Sequence, residues 1–483
     1  MLGMVGLVRG VPVVVAFAQT ATATAEASAS IAQSILSADM LLTALIVGLL
    51  PFCAWRPWIG MLVFAWIGYM NPHRLCGGFA FHMPYAKMVA AATLAGLLVT
   101  RERYPLPRTR ETYLMAALWL IFVCSTLFVA LQPEIAREKL AEISKILLMT
   151  GATIVLFQDR RKLHILLLVI ALSIGFFGVT GGLWNLYTGF AERLYGPARS
   201  ALGDNNALGF TFTIVLPIVA LVRRQSSSRW VRGVLLAVFA LSIVALFATY
   251  SRASLIVLCL TLPLTLALTW RKDFALWAAT AAACFAIYAA PRQWVERMQT
   301  ITPTAYRDTS SGSQRMKSWY IAFRLGLDHP LLGAGFRPFE PDVYERYMPG
   351  YWDNHDAHNN FLQVFAEHGI PGLLLFVALL VSLFLTLLRT VRATRGDPSR
   401  RWIGDAALFL GVSLVAYVVG GMFLNMPYFD LFYQLVAAIV ILQQLAQAPG
   451  GEVATQEPLL AALWARLRGR DAMVDRRSVG AGG

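Results

Sequence analysis

The chain has 483 residues, 57% of them hydrophobic and 14% charged, with a mean hydropathy of +0.59 and a formal net charge of +14 at pH 7. These proportions lie outside the range of soluble globular domains and match a polytopic, all-α membrane protein. A basic excess can serve nucleic-acid binding, but here many of the charges fall in short loops between apolar runs. Membrane topology accounts for them and no nucleic-acid partner is needed.

Residues 1–37 hold a short apolar run and an Ala/Thr/Ser-rich, low-complexity stretch, read either as a cleaved signal or as an extension before the first span. Apolar runs then recur near 40–55, 58–70, 85–99, 113–131, 145–157, 163–184, 207–222, 231–249, 253–270, 274–290, 369–388, 403–424 and 431–445. A spanning helix needs about 20 mostly apolar residues. The first two runs are short and joined at Pro51 and Arg56-Pro57, so they can act as one broken unit, and the expected total is about 12 spans. This divides the chain into an extension (1–37), a first transmembrane part (38–290), a large extramembrane loop (291–368), C-terminal transmembrane helices (369–445) and a basic tail (446–483).

Charge sets the orientation. Arg101, Arg103, Arg108 and Arg110 fill one loop, Arg160, Arg161 and Lys162 another, and Arg223, Arg224 and Arg229 a third. Arg271 and Lys272, then Arg389, Arg392, Arg395, Arg400 and Arg401, follow in alternate connections. The positive-inside rule puts these loops and the tail in the cytoplasm. Residues 71–84, 132–144, 185–206, 250–252, 291–368 and 425–430 then face the opposite side, the periplasm if the cell is bacterial. The tail arginines suit either a solvated end or a basic helix on anionic lipid. Four of the five cysteines fall inside spans and Cys76 in an outer loop; no spacing suggests a disulfide framework or a zinc site, so they read as packing residues.

On the outer side Lys145 opens a span just after Glu138 and Glu142, where it either snorkels or adds charge to an anion site. The stretch from Tyr195 to Asn206 carries turn residues and side-chain amides suited to sugar hydroxyls, with Asp204 as a helix N-cap the competing reading. Arg193, Arg199, Arg252, Arg297, Arg307, Arg315 and Arg337 all lie on the side that positive-inside bias should deplete. Ser251-Arg252 joins two spans with almost no loop, so Arg252 sits at the membrane interface, where charge is costly unless paired or used. Guanidinium forks match phosphate oxygens, and the set reads as a site for a pyrophosphate-bearing lipid; for each arginine alone, snorkelling or a salt bridge to Glu192, Glu296 or Asp308 is the competing reading.

Within the large loop, 315–327 predicts an amphipathic helix with Trp319, Ala322, Phe323 and Leu327 on one face, lying on the membrane or covering a cavity. The turn-rich Pro330-Leu331-Leu332-Gly333-Ala334-Gly335-Phe336 follows. The loop closes on His355-Asp356-Ala357-His358-Asn359 and then Gly369-Ile370-Pro371-Gly372. An unperturbed imidazole titrates near pKa ~6.5, so His358 is a candidate general base, the bland alternative being a helix-capping or loop-bonding histidine. His355 with Asp353 and Asp356 offers a weak metal alternative, lacking the glutamate and the i,i+4 spacing of the zinc-protease motif.

These residues resemble the O-antigen ligase family, within the group of O-antigen ligases, O-antigen polymerases and O-oligosaccharyltransferases. The family pattern of a histidine, an Asn, Ser or Gln, nine residues and Gly-x-x-Gly is met by His358, Asn359 and Gly369 to Gly372. Ser251-Arg252, Arg315 with Trp319, and Pro330 to Phe336 resemble its other motifs. The segment Arg56-Pro57-Trp58 through His73-Arg74 is most similar to the branch of O-glycosylation ligases that accompany exosortase systems. The resemblance implies a GT-C-type glycosyltransferase in the bacterial inner membrane, with its active site facing the periplasm. The implied donor is a glycan on undecaprenyl pyrophosphate and the implied acceptor a sugar hydroxyl of lipid A–core, in a metal-independent, inverting transfer with no cofactor. It makes His358 the base, with Arg252 and Arg315 binding the pyrophosphate; Arg193 and Lys145 are added from placement, and His355 and Asn359 as support. A protein O-oligosaccharyltransferase and an O-antigen polymerase share this chemistry with other acceptors. A lipid or sugar transporter is the reading from another class, and it requires charges deep in the spans rather than at their ends.

Overall fold

The computed structural model describes residues 38–269, 273–288, 310–350 and 355–448. The N-terminal extension, Arg271, Lys272, Glu296, Arg297, Arg307, Asp308, Asp353 and the basic tail lie outside the described residues. In chain order the helices are α1 (Ala38–Trp55), α2 (Pro57–Met70), α3 (Tyr85–Val99), α4 (Arg110–Phe128), α5 (Pro133–Leu156), α6 (Arg160–Thr188), α7 (Asn205–Gln225) and α8 (Arg229–Ala248). Then come α9 (Arg252–Thr269), α10 (Phe274–Tyr288), α11 (Ser310–Asp328), α12 (Pro341–Tyr347), α13 (Asn360–Ala393), α14 (Arg401–Gly420) and α15 (Asp430–Gln447).

Among the described residues nine helices are long and apolar enough to cross a membrane: α1, α4, α6, α7, α8, α9, α13, α14 with the turn before it, and α15. The other helices of the expected dozen are shorter or more charged than this measure admits. Helices α2, α3 and α10 have 14 or 15 residues, below that length, although α2 and α3 carry the chain away from Arg56 and back to its partner Glu102. Helix α5 is long, but Glu134, Arg137, Glu138, Lys139, Glu142 and Lys145 crowd its first half.

The bundle is organised around α7, which is buried along almost its whole length. A helix apolar all round belongs at the centre of a packed assembly, and α6, α8, α9 and α14 surround this one. The hydroxyls of Thr211 and Thr213 bond back to carbonyls of their own helix, so α7 carries them without an external partner. Outer helices leave large apolar side chains such as Leu183, Trp184, Trp230, Phe274 and Phe285 exposed, as a lipid-facing surface requires. Cys53 is buried, whereas Cys259 and Cys284 lie on the outer surface, so the packing reading of the cysteines does not extend to these two.

Short connections divide between the two ends of the bundle as the charge pattern predicts. At the basic end Arg223 pairs with Asp273, Arg224 with Asp405 and Arg56 with Glu102. At the other end Leu194 N–H donates to the Ala248 carbonyl, Leu131 N–H to Ala334 and Asn360 N–H to Gly421. Sequence-local caps define the helix starts: Thr109 forms a capping box, and Asp159, Asp204, Ser228 and Asn359 accept from first-turn N–H groups.

Helix α13 begins at Asn360, earlier than the span expected from residue 369, and bends at Gly369, whose φ of 67° and ψ of −166° are not helical. The bend has a backbone cause. Pro371 has no N–H to give the Glu367 carbonyl, and Ile370 N–H turns away to the Pro330 carbonyl. The freed carbonyls are taken up from outside: Ala366 accepts from Ala334 N–H at 2.9 Å, and Glu367 accepts from Gly335 N–H at 3.0 Å and from Ser125 Oγ at 3.0 Å. The turn 330–336 is thus a clasp on the bent helix.

Candidate active site

The helix α11 forms where the sequence predicts one, but its faces differ from the expectation. Ser318, Ile321, Ala322 and Leu325 point inward and pack with Ala334, Phe339, Tyr344, Ala357 and Ala366 in a small core of their own. Phe323 and Leu327, expected on one face with Ala322, part from it: they are 48% and 49% exposed and extend a stripe with Met316 and Tyr320. The helix therefore has two apolar sides, one holding the loop core and one facing outward.

That core aligns the histidines. The Tyr344 hydroxyl sits 3.0 Å from Ser318 Oγ and donates to the His355 carbonyl. His358 follows with φ of 49°, in the left-handed region that few non-glycine residues adopt. Directly after it Asn359 caps α13: its Oδ1 accepts from Phe361 N–H at 2.9 Å and Leu362 N–H at 3.1 Å, while its Nδ2 donates to the Met422 carbonyl. Capping at this position thus falls to Asn359, and His358 is the residue the cap presents.

The surroundings of His358 come from three separate parts of the chain. Burial lowers its pKa to about 4, with Arg315 of α11 pushing in the same direction and His355, its ring 6.1 Å away, adding to it. Asp356 and Asp204 pull the other way. The imidazole is therefore neutral at pH 7 and open to accept a proton. Asp204 caps α7, accepting from Asn206 N–H at 2.9 Å and Ala207 N–H at 3.2 Å, so the capping reading holds, and it also lies within electrostatic reach of His358.

Asp204 ties this cluster to the α8–α9 turn. Its neighbour Asn205 donates through Nδ2 to the Thr249 carbonyl at 2.7 Å. The turn is three residues long, made possible by Tyr250 at φ 56°, and Arg252 is the first residue of α9. Ser254 Oγ donates to Ser251 Oγ at 2.9 Å, securing that helix start. The Arg193 guanidinium lies 5.9 Å from the centre of the Tyr250 ring. Arg193, Arg252, Asp204, Arg315, His355 and His358 thus share the outer end of the bundle. Lys145 is exposed on α5 beside Ser144, which accepts from Trp119, and none of the described contacts links it to these residues.

Beneath His358 runs a polar chain that the sequence reading did not single out. Ala357 N–H donates to Gln363 Oε1 at 3.0 Å, and Gln363 Nε2 donates to Glu367 Oε1 at 2.5 Å. Arg337 N–H donates to the same oxygen at 2.9 Å, and the Tyr428 hydroxyl donates to Glu367 Oε2. His368 Nε2 is 2.9 Å from the Tyr428 oxygen and its Nδ1 is 2.9 Å from Ser125 Oγ. Burial and the adjacent Glu367 keep the Tyr428 phenol well above its ordinary pKa, so it remains a donor. Phe122 and Phe336 enclose the His368 ring at centroid distances of 4.4 and 4.5 Å. Glu367-His368, interrupting an apolar run just before Gly369, was the available signal; Ser125 and Tyr428 lie too far along the chain to be joined to it by pattern.

Among the described residues no three His, Cys, Asp or Glu side chains are grouped to hold a metal ion. Residues 237–377 match the O-antigen ligase family, and residues 37–227 match a family of unknown function. The first match spans α9, Arg315, the clasp, His358 and the Gly369 bend. No curated protein matches the chain.

Proposed function

We propose, from the match of residues 237–377 to the O-antigen ligase family, that this membrane protein transfers a glycan from undecaprenyl pyrophosphate to a sugar hydroxyl of lipid A–core. The transfer takes place on the periplasmic face of a bacterial inner membrane, by a GT-C-type enzyme. The observation that carries this reading is the neutral imidazole of His358 held beside the Arg315 guanidinium, with Arg252 and Arg193 at the same end of the bundle.

In the proposed step the imidazole takes the proton of the acceptor hydroxyl as its oxygen attacks the anomeric carbon. The glycosidic bond forms, the anomeric carbon–phosphate oxygen bond breaks, and undecaprenyl pyrophosphate leaves with the bonding electrons. Attack opposite the leaving group inverts the anomeric centre. Arg252 and Arg315 neutralise the charge growing on the pyrophosphate, with Arg193 adding to the field. Lys145 is retained as a donor contact only in an arrangement of α5 that brings its side chain to the anion.

The low basicity of His358 beside Arg315 fits this order of events. Two phosphates arriving beside Arg315 offset the positive charge that depresses the imidazole, so donor binding strengthens the base. His355 and Asn359 act as support, the first through its charge and the second by capping α13. Outward-facing Met316, Tyr320, Phe323 and Leu327 suit a helix that rests on lipid and borders the path of two lipid-anchored substrates.

In vitro transfer with the purified chain, undecaprenyl-pyrophosphate glycan, and lipid A–core or an acceptor protein tests the assignment. Product on lipid A–core that is lost in His358→Ala supports it. Product on protein alone, or extension of the glycan alone, replaces the acceptor while keeping the chemistry. Full activity of His358→Ala removes the base.

A further inference from the structure

The end of the bundle opposite His358 holds a cavity of about 510 Å³ that the transfer reaction does not use. Arg160 of α6, Arg224 of α7, Arg232 of α8 and Arg401 of α14 line it, together with Asp273 and Asp405. Both carboxylates are already engaged. Arg223, behind the wall, binds Asp273 through two nitrogens at 2.7 and 2.9 Å, and Arg224 binds Asp405 at 2.7 Å while donating to the Leu268 carbonyl. Gln225, also in the wall, donates to the Trp402 carbonyl and so fixes the edge of the cavity.

Three guanidiniums are left over. Arg160, Arg232 and Arg401 are exposed, come from three different helices and face one space whose carboxylates, among the described residues, are paired with Arg223 and Arg224. Arginines that merely mark a cytoplasmic loop have no reason to share a cavity, because like charges repel and each can reach water separately. An anion between them offsets that repulsion, and the guanidinium fork matches phosphate oxygens. Arg160 rests 4.9 Å from the Trp402 ring centre, which orients its fork while placing an indole at the level where aromatic side chains meet headgroups. The cavity lies among the basic helix ends, where anionic lipid is concentrated on the cytoplasmic side.

We propose that this cavity binds the phosphate group of an anionic phospholipid headgroup from the cytoplasmic leaflet, held by Arg160, Arg232 and Arg401 on a floor set by the Arg223–Asp273 and Arg224–Asp405 pairs. The site is separate from the glycan-transfer reading and stands or falls without it.

The test is lipid binding by the purified full-length chain in nanodiscs and by native mass spectrometry, comparing phosphatidylglycerol with phosphatidylcholine. Wild type is expected to retain phosphatidylglycerol selectively. Arg232→Gln with Arg401→Gln should weaken that retention on the order of 25-fold, about fivefold per guanidinium. Arg160→Gln, tested alone, should weaken it about fivefold and guards against a folding defect in the double variant. Arg161→Gln removes a charge from the same face outside the cavity and should leave retention unchanged. Equal loss in Arg161→Gln, or no loss in the cavity variants, overturns the site. Displacement of the lipid by millimolar inorganic phosphate assigns the cavity to a free anion and overturns the lipid assignment.

Discussion

Arg315 of α11 stands beside His358, and its charge adds to burial in holding that imidazole at a pKa of about 4. The neutral form is the one that accepts a proton, so the proposed activity requires pH above that value. For the free enzyme, kcat/KM should stay level through the ordinary histidine range near 6.5 and fall as pH drops through about 4. In kcat, which reports the donor-bound state, the acid limb should lie at higher pH, because the pyrophosphate offsets Arg315. A kcat/KM limb at or above 6.5 contradicts the assignment of His358 as the base.

Removing either partner has a distinct signature. His358→Ala should lower kcat by roughly 10²–10⁴-fold, the usual worth of a positioned base, with donor KM little changed. Arg315→Ala should raise donor KM and also move the free-enzyme acid limb upward, since one cause of the depressed pKa is gone. Steady-state kinetics across pH separates these outcomes; an unmoved limb in Arg315→Ala breaks the link between the two residues.

Gly333 presses on the bent helix: a Cβ there would lie 2.3 Å from the Glu367 carbonyl carbon, and its φ is 67°. Gly350 also has positive φ, 78°, but open space around it. Gly350→Ala should therefore cost only backbone strain, about 1–2 kcal/mol. Gly333→Ala must in addition spring the clasp, lowering thermal stability further and moving His358 out of register with Arg315. Equal melting temperatures for the two variants would show that the close approach carries no weight.

Tyr428→Phe leaves one Glu367 oxygen and His368 Nε2 without their hydroxyl partner. A buried polar group stripped of its bond costs about 1–3 kcal/mol, more if charged. The variant should melt lower and lose transfer activity while its donor KM holds, because the polar chain acts on His358 through Ala357 and Gln363 rather than on substrate. Calorimetry with kinetics on the same preparation checks both parts.

Asn359 distinguishes capping from chemistry. Asn359→Ala should cost about 1 kcal/mol of stability and reduce activity, whereas Asn359→Ser, which restores a capping oxygen, should recover most of both. Failure of serine to rescue activity at restored stability would give the Asn359 amide a direct part in acceptor binding.

Local features were legible because they depend on neighbours in the chain. Asp204 and Asn359 precede apolar helices and cap them, Arg252 opens α9 after a three-residue turn, and alternate basic loops gather at one end. Hydropathy alone counts about 12 spans, whereas length and charge together single out nine among the described residues, because the charged first half of α5 and the brevity of α2, α3 and α10 leave those helices out. The face drawn for α11 joined Ala322 to Phe323 and Leu327 because both sides of the helix are apolar, and periodicity cannot say which residues meet the loop core.

By itself the sequence determined the helical membrane class, the basic end of the topology, the caps, and the spacing that joins His358 to Gly369. These follow from apolarity, charge bias and backbone chemistry, each settled within a few residues. Only the tertiary structure decided that Arg315, Asp204 and His358 share one electrostatic neighbourhood, that the clasp 330–336 satisfies carbonyls freed by Pro371, and that Ser125, Glu367, His368 and Tyr428 form one network. Those relations join residues separated by tens to hundreds of positions, and they exist because buried polar groups must find partners wherever packing brings them.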